Sequence, residues 1–328
     1  MKPIAINYVD TRRYDTVYID WTLGNFCNFK CSYCPDNLHN NSNPMVEIEK
    51  VKKFVKLMFG HYAKHLNKKY FVFNLMGGEP TLWKSIEPFI IWVKEYSKDL
   101  GIVSYIEVLT NASRTLRWWN DYVKYFDFIK ITHHTEFANP IHTRTVADLA
   151  IDNGINATVQ VTMIPALWNN CIEHLDQIKQ SKHEFQIDVK PLRLDFGPHL
   201  YDYTSDQLAF FKKLYRKNNI KSRLSGSIGM GSKFLFPDNT EKQIRYQDLI
   251  SNKENSWVDW KCWAGLDILT IRSDGSLRMG GACLMKDNGF FDKKITDDDI
   301  VFRIDPIICK QQWCSCSPDM ETRKENVR

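Results

Sequence analysis

Six times between Val17 and Lys217 a short apolar run gives way to a helical pattern. Residues 17–21, 71–76, 106–110, 128–132, 157–164 and 185–189 read as strands. Residues 46–59, 82–100, 116–125, 146–153, 170–180 and 205–217 read as the helices between and after them. In the first helix Ile48, Val51, Val55 and Met58 share one face, and Gly60 reads as its stop. Pro88 is a candidate kink in the second, and Thr204 or Ser205 caps the last. Strand–helix alternation at this spacing demands parallel strands joined by right-handed crossovers. The fold class is therefore α/β. The Gly-, Cys- and polar-rich residues all cluster just after strands. That favours a partial (β/α)6 TIM-like barrel, where such loops share one face, over an open doubly wound sheet.

The chain has 328 residues, enough for two domains or one large barrel with an appendage. A net charge of +5 without a basic tract argues against nucleic acid as a partner. The absence of a run of ~18 apolar residues argues against a transmembrane helix, and no signal-peptide pattern opens the sequence. Nine cysteines in such a chain read as metal ligands in a reducing, cytoplasmic compartment rather than as disulfides. Ten tryptophans read as core and groove packing.

The most specific local pattern follows the first strand: Cys27-Asn-Phe-Lys-Cys31-Ser-Tyr-Cys34. Three thiolates this close can wrap one face of a cubic iron–sulphur cluster and leave one iron open for a ligand. The alternative is a structural zinc knuckle, for which His39 is the nearby fourth ligand. Gly77-Gly78-Glu79-Pro80 follows the second strand and Leu109-Thr110-Asn111 the third. Glycines allow a ligand to approach the backbone, and exposed carbonyls with a carboxylate accept hydrogen bonds from an ammonium.

The three motifs, in this order and each after a successive strand, resemble the signature of the radical S-adenosylmethionine superfamily. The resemblance spans residues 16–217 and implies a [4Fe–4S] cluster on Cys27, Cys31 and Cys34. It implies S-adenosylmethionine chelated to the open iron, with Gly77, Gly78 and Glu79 at its amino group, Asn111 at the ribose and Tyr33 beside the adenine. The family commonly holds the carboxylate with a Ser after the fourth strand and an Arg in the next helix. Here Thr132-His133-His134 replaces the Ser, and Arg144 is the candidate for the second role. His133 and His134 are candidates for contact with substrate or cofactor.

The C-terminal segment holds five cysteines, with a hairpin read at Ser273-Asp274-Gly275. Cys262, the hairpin, Cys283 and the late Cys309, Cys314 and Cys316 resemble the auxiliary-cluster domains called SPASM and twitch. That implies a second, auxiliary [4Fe–4S] cluster on Cys262, Cys283, Cys314 and Cys316, with Cys309 in reserve; zinc is again the alternative. Cys171 reads as a core residue. The expected division is a barrel over 1–218, a linker or lid over 219–260 that includes the Gly/Ser-rich stretch 224–232, and an auxiliary domain over 261–328. The expected activity is reductive cleavage of S-adenosylmethionine and hydrogen abstraction, for oxidation of a peptide or protein side chain. About fifteen residues precede the first strand, which leaves no room there for a leader-binding domain. Dehydrogenation or epimerisation of a small molecule such as a sugar therefore competes. A non-catalytic metal-binding scaffold is the alternative of another class. A reducing partner such as a flavodoxin or ferredoxin is implied.

Overall fold

The computed structural model describes residues 3–194, 199–217, 228–229, 231–244, 249–250, 253–280, 283, 293–314 and 317–327. Its larger sheet runs β12-β11-β2-β3-β4-β5-β6-β7 and remains open between its outer strands. The six expected strands are β2 (Thr16–Thr22), β3 (Tyr70–Met76), β4 (Val103–Thr110), β5 (Phe128–His133), β6 (Asn156–Met163) and β7 (Gln186–Pro191), all parallel in chain order. The helices between them are α1 (Ile48–Leu66), α2 (Ile86–Asp99), α3 (Leu116–Tyr122), α4 (Pro140–Asp152) and α5 (Trp168–Ile178), and α6 (Ser205–Lys217) follows. This is the partial barrel that the alternation calls for.

Strand periodicity divides each strand between two environments. Val17, Ile19 and Trp21 of β2 and Phe71, Phe73 and Leu75 of β3 enter the hydrophobic layer under the helices. The alternate residues Tyr18, Asp20 and Asn74 turn into the barrel, where Asp20 is level with Asn74 and Asn74 with Glu107. The interior is therefore polar at the level of Asp20, Asn74 and Glu107, while Tyr18 and Val72 pack with Ile228. Asn74 donates to Asp20 (2.7 Å) and the Tyr18 hydroxyl to Glu107 (2.9 Å).

Three of the differences from the sequence reading have a plain physical reason. Helix α1 runs through Gly60 and stops at Asn67, whose φ of 52° is left-handed. A glycine inside a helix costs only about 1 kcal/mol against alanine, and the turn beyond it buries Tyr62. Pro88 makes no kink, because it falls in the first turn of α2, where its missing N–H has no partner to lose. Helix α4 begins six residues before position 146, at Pro140. Asn139 caps it, accepting from the amides of Ile141 (2.9 Å) and His142 (3.1 Å).

The C-terminal part is built onto the barrel. Strands β11 (Ile268–Ile271) and β12 (Leu277–Arg278) form the expected hairpin. β11 then pairs in parallel with β2, Ile268 opposite Tyr18, and so widens the barrel sheet. A second, antiparallel sheet runs β13-β10-β14-β1-β8-β9. Here β1 is Ala5–Tyr8, β8 Ser232–Leu235, β9 Glu241–Gln243, β10 Trp260–Cys262, β13 Ile307–Ile308 and β14 Lys324–Asn326. It joins the two ends of the chain with part of the 219–260 segment. Of the expected lid stretch 224–232, residues 224–227 and 230 lie outside the described residues.

Asp267 ties the two sheets together. Its carboxylate, 1% exposed, accepts from Tyr8 (2.9 Å), Lys68 (2.6 Å) and Arg323 (2.6 Å). Burial depresses the Lys68 ammonium, and the Asp267 charge opposes that shift. Among the described residues, no helix is long and apolar enough to cross a membrane.

Candidate active site

Loops at the C-terminal ends of β2, β3, β4 and β5 meet on one face. The cysteine loop leaves β2 and is held to the loop after β3 by backbone bonds. The Leu23 amide donates to Met76 (2.8 Å), Gly78 to Gly24 (3.1 Å) and Glu79 to Phe26 (2.8 Å). This contact requires glycines. A β-carbon on Gly77 would lie 2.6 Å from the Gly24 oxygen, its φ of 151° is one that side chains avoid, and a β-carbon on Gly78 would collide with the Phe26 carbonyl.

Two side chains organise the loop further. Asn25, 1% exposed, donates to Asn40 (2.7 Å) and accepts from the Asn43 amide (2.8 Å). Glu136, in the loop after β5, accepts from the backbone (2.9 Å) and the hydroxyl of Ser32, between Cys31 and Cys34. The Cys27 sulphur accepts from the Phe29 amide (3.4 Å) and from Asn111 (3.9 Å). Asn111 also donates to Asn28 (3.1 Å).

Glu79 lies at the centre of these contacts and is wholly buried. Its Oε1 accepts from the Thr81 amide (3.1 Å), the Thr81 hydroxyl (2.6 Å) and the Thr110 hydroxyl (2.7 Å); its Oε2 accepts from the Asn111 amide (2.6 Å). Burial raises its pKa and these four donors hold it down. The carboxylate thus faces inward and joins the motif after β3 to the motif after β4.

The three thiols share one small volume. Burial drives the Cys31 thiol up to about 12, and the nearby Glu136, Cys27 and Cys34 push it further in that direction. Burial and Cys27 also raise Cys34, and burial raises Cys27. Among the described residues, no three His, Cys, Asp or Glu side chains converge closely enough to grip a single metal ion. Three cysteine thiols are a donor set that iron–sulphur clusters use, and the amide donors beside Cys27 are of the kind that tunes such clusters.

At the barrel mouth the Tyr33 hydroxyl bonds His134 Nδ1, and the two rings stack at 6.1 Å. Burial lowers His134 to about 4 and raises Tyr33, so a neutral imidazole accepts from the phenol. His133 turns the other way. Its ring bonds Thr143 and His174, both at 2.9 Å, under the helices. Burial, then the neighbouring histidines, lowers it to about 3.

Arg144 departs from its expected role. Its guanidinium donates to the Gln177 carbonyl (3.1 Å) in the last turn of α5. Helix ends carry unsatisfied carbonyls and partial negative charge, which an arginine answers. It is directed into the helical layer rather than toward the strand-end face.

The second cysteine group lies in the second sheet. Cys262 ends β10, opposite Ile307 on one side and Lys324 on the other. Cys309 extends the ladder, its amide donating to Trp260 (2.8 Å). Cys314 is clamped by Asn255, which accepts from its amide (2.9 Å) and donates to its carbonyl (2.6 Å). Burial drives Cys314 up to about 12, and Cys262 and Cys309 lie within electrostatic reach of it. Cys283 lies beside Gly280, where an added β-carbon would be 3.5 Å from its own. Cys316 lies outside the described residues. The structure thus brings Cys309, the reserve candidate, next to Cys262 and Cys314. Cys171 is buried on the inner face of α5 as a core residue.

Sequence reading missed Asn25, Glu136 and Lys324. Glu136 stands 104 residues from the serine it holds, and no local signal links them. Asn25 sits two residues before Cys27, and its place in an Asn/Ser-rich loop was its signal.

No protein-family profile matches the chain. GTP 3',8-cyclase of Helicobacter pylori (strain HPAG1) is 29% identical over 90 residues, and the match spans about a quarter of each protein, 26% of this chain and 26% of the cyclase. The solved structure of native anSMEcpe with bound AdoMet and Cp18Cys peptide superposes with a TM-score of 0.55 at 16% identity. It covers 86% of this chain and 78% of that one. The same protein with AdoMet alone gives a TM-score of 0.54. At these identities the solved structures show the fold that the chain shares with them, a partial parallel barrel, which here carries a cysteine loop after its first core strand, a Gly-Gly-Glu-Pro turn after the next and a Thr-Asn turn after the third.

Proposed function

We propose that the chain is an enzyme that binds a [4Fe–4S] cluster through Cys27, Cys31 and Cys34 and uses S-adenosylmethionine to take a hydrogen atom from a peptide or protein side chain. The observation that carries this reading is the joining of three motif loops at the ends of β2, β3 and β4 by Glu79, Gly77 and Gly78. The cluster, when bound, supplies one electron for cleavage of the sulphonium to methionine and a 5′-deoxyadenosyl radical.

The chain's own part is positioning and exclusion of water. Glu79 holds the Gly77–Gly78 turn against Asn111, so the methionine ammonium meets backbone carbonyls of that turn and Asn111 stands ready for the ribose. Tyr33 and His134 wall the mouth where the adenine would lie. The peptide reading draws support from the peptide in the anSMEcpe structure. The polar barrel interior, with Asp20, Asn74 and Glu107, supports a small charged molecule as the second reading. The second cysteine group is proposed to hold an auxiliary cluster, which can accept the electron left on an oxidised substrate. A low-potential reductant such as a flavodoxin or ferredoxin is the proposed partner.

Anaerobic reconstitution tests this. The chain is expected to take up about eight irons, two four-iron clusters. The variant with Cys27, Cys31 and Cys34 all changed to Ala keeps about half. Reduced parent protein releases 5′-deoxyadenosine and the triple variant releases none; equal release from both would leave the activity without support, and a non-catalytic metal-binding scaffold would stand in its place.

A further inference from the structure

Lys324 has no exposed surface. It stands directly across the β10–β14 ladder from Cys262, so the two side chains leave the same face of the sheet. Its ammonium donates to the carbonyls of Asp319, Met320 (3.3 Å) and Thr322 (2.8 Å) and lies 5.6 Å from the Trp257 ring centroid. Three acceptors satisfy its three protons. None of these three acceptors is a carboxylate, so the hydrogen bonds themselves bring no opposite charge to the ammonium.

A buried charge costs several kcal/mol unless opposite charge lies near. Among the described residues, Cys262, Cys309 and Cys314 lie within electrostatic reach of Lys324. As neutral thiols they offer no compensation; as thiolates on an anionic cluster they do. Asp319 is the other charge facing the three sulphurs, with the opposite sign.

We propose that Lys324 is the fixed counter-charge of an auxiliary iron–sulphur cluster held by Cys262, Cys309 and Cys314, and that with Asp319 it sets the cluster's reduction potential. The inference rests on the auxiliary-cluster reading above. Reduction adds one negative charge to the cluster. A fixed cation beside it favours the reduced form, and a fixed carboxylate opposes it. The effect is strong because the site is buried and water does not screen it.

The test uses the full chain carrying the Cys27, Cys31 and Cys34 triple substitution, so that only the auxiliary cluster remains. Its potential is measured by redox titration followed by electron paramagnetic resonance. Lys324→Met is expected to shift the reduction equilibrium at least tenfold toward the oxidised form, a drop of 59 mV for one electron. Asp319→Asn shifts it upward, and Lys324→Arg keeps the parent value. An unchanged potential in Lys324→Met overturns the proposal; should that variant not fold, an unchanged potential in Asp319→Asn does so. Iron content separates this failure from failure of the underlying reading. A triple-substituted parent that holds no iron removes the auxiliary cluster itself. Loss of iron on Cys309→Ala is expected, and full retention would remove Cys309 from the ligand set.

Discussion

Replacing Glu79 by Gln isolates the join between the two motif loops. The carboxylate accepts four hydrogen bonds and donates none. An amide cannot copy this in either orientation. With its nitrogen at the Oε2 position it would meet the Asn111 amide, a donor now 2.6 Å away. With its nitrogen at Oε1 it would meet the Thr81 amide, at 3.1 Å. The hydroxyls of Thr81 and Thr110 can rotate to accept, but a backbone N–H cannot. One buried donor is left unsatisfied and one charge-assisted bond is lost, a cost of about 2–4 kcal/mol. Burial disfavours the Glu79 charge, so removing that charge returns part of the cost, and a net loss of about 1–3 kcal/mol is expected. Denaturant unfolding of the metal-free chain measures it, as a shift in midpoint at unchanged slope. Misplacement of the Gly77–Gly78 turn should also weaken S-adenosylmethionine binding to the reconstituted protein, about tenfold or more. If the variant loses affinity but no stability, Glu79 meets the ligand directly and the inward role is wrong. If it loses neither, the join has no energetic weight.

Two further predictions concern buried charge elsewhere. Burial raises Asp20 to about 6 in the folded chain, above its ordinary value of about 3.9. Its charge therefore lowers stability at neutral pH. The penalty is absent below the ordinary value, grows as pH rises through 4 to 6 and is complete above that. Asp20→Asn should gain about 1–3 kcal/mol at pH 7.5 and nothing at pH 4; unfolding curves at the two pH values check it, and a gain of equal size at both would refute the assignment. Asp267→Asn leaves the buried Lys68 and the half-buried Arg323 against a neutral amide. It should cost about 3–5 kcal/mol, and a loss below 1 kcal/mol would show that the network does not bind the two sheets.

What the sequence determined by itself is local. A strand repeats every two residues and a helix every 3.6, so the six strand–helix units could be read within short windows. The cysteine triplet and the Gly-Gly-Glu-Pro turn are also local, and their order along the chain carried the family resemblance. Errors at this level came where one residue type serves two purposes. Gly60 reads as a stop but is tolerated inside α1, because burial of Tyr62 beyond it outweighs a small propensity cost. Residue roles depended on direction, which spacing does not encode. Glu79 and Arg144 stand where the motifs expect a ligand, yet one carboxylate turns into the protein and one guanidinium into the helical layer. Only the tertiary structure decided the contacts made by residues far apart in the chain. The pairing of β11 with β2, the hold of Glu136 on Ser32, the Asp267 network and the placement of Lys324 across from Cys262 all join distant segments. Each depends on where the folded backbone brings buried polar groups together, because a buried charge or hydrogen-bonding group must find a partner wherever the fold supplies one.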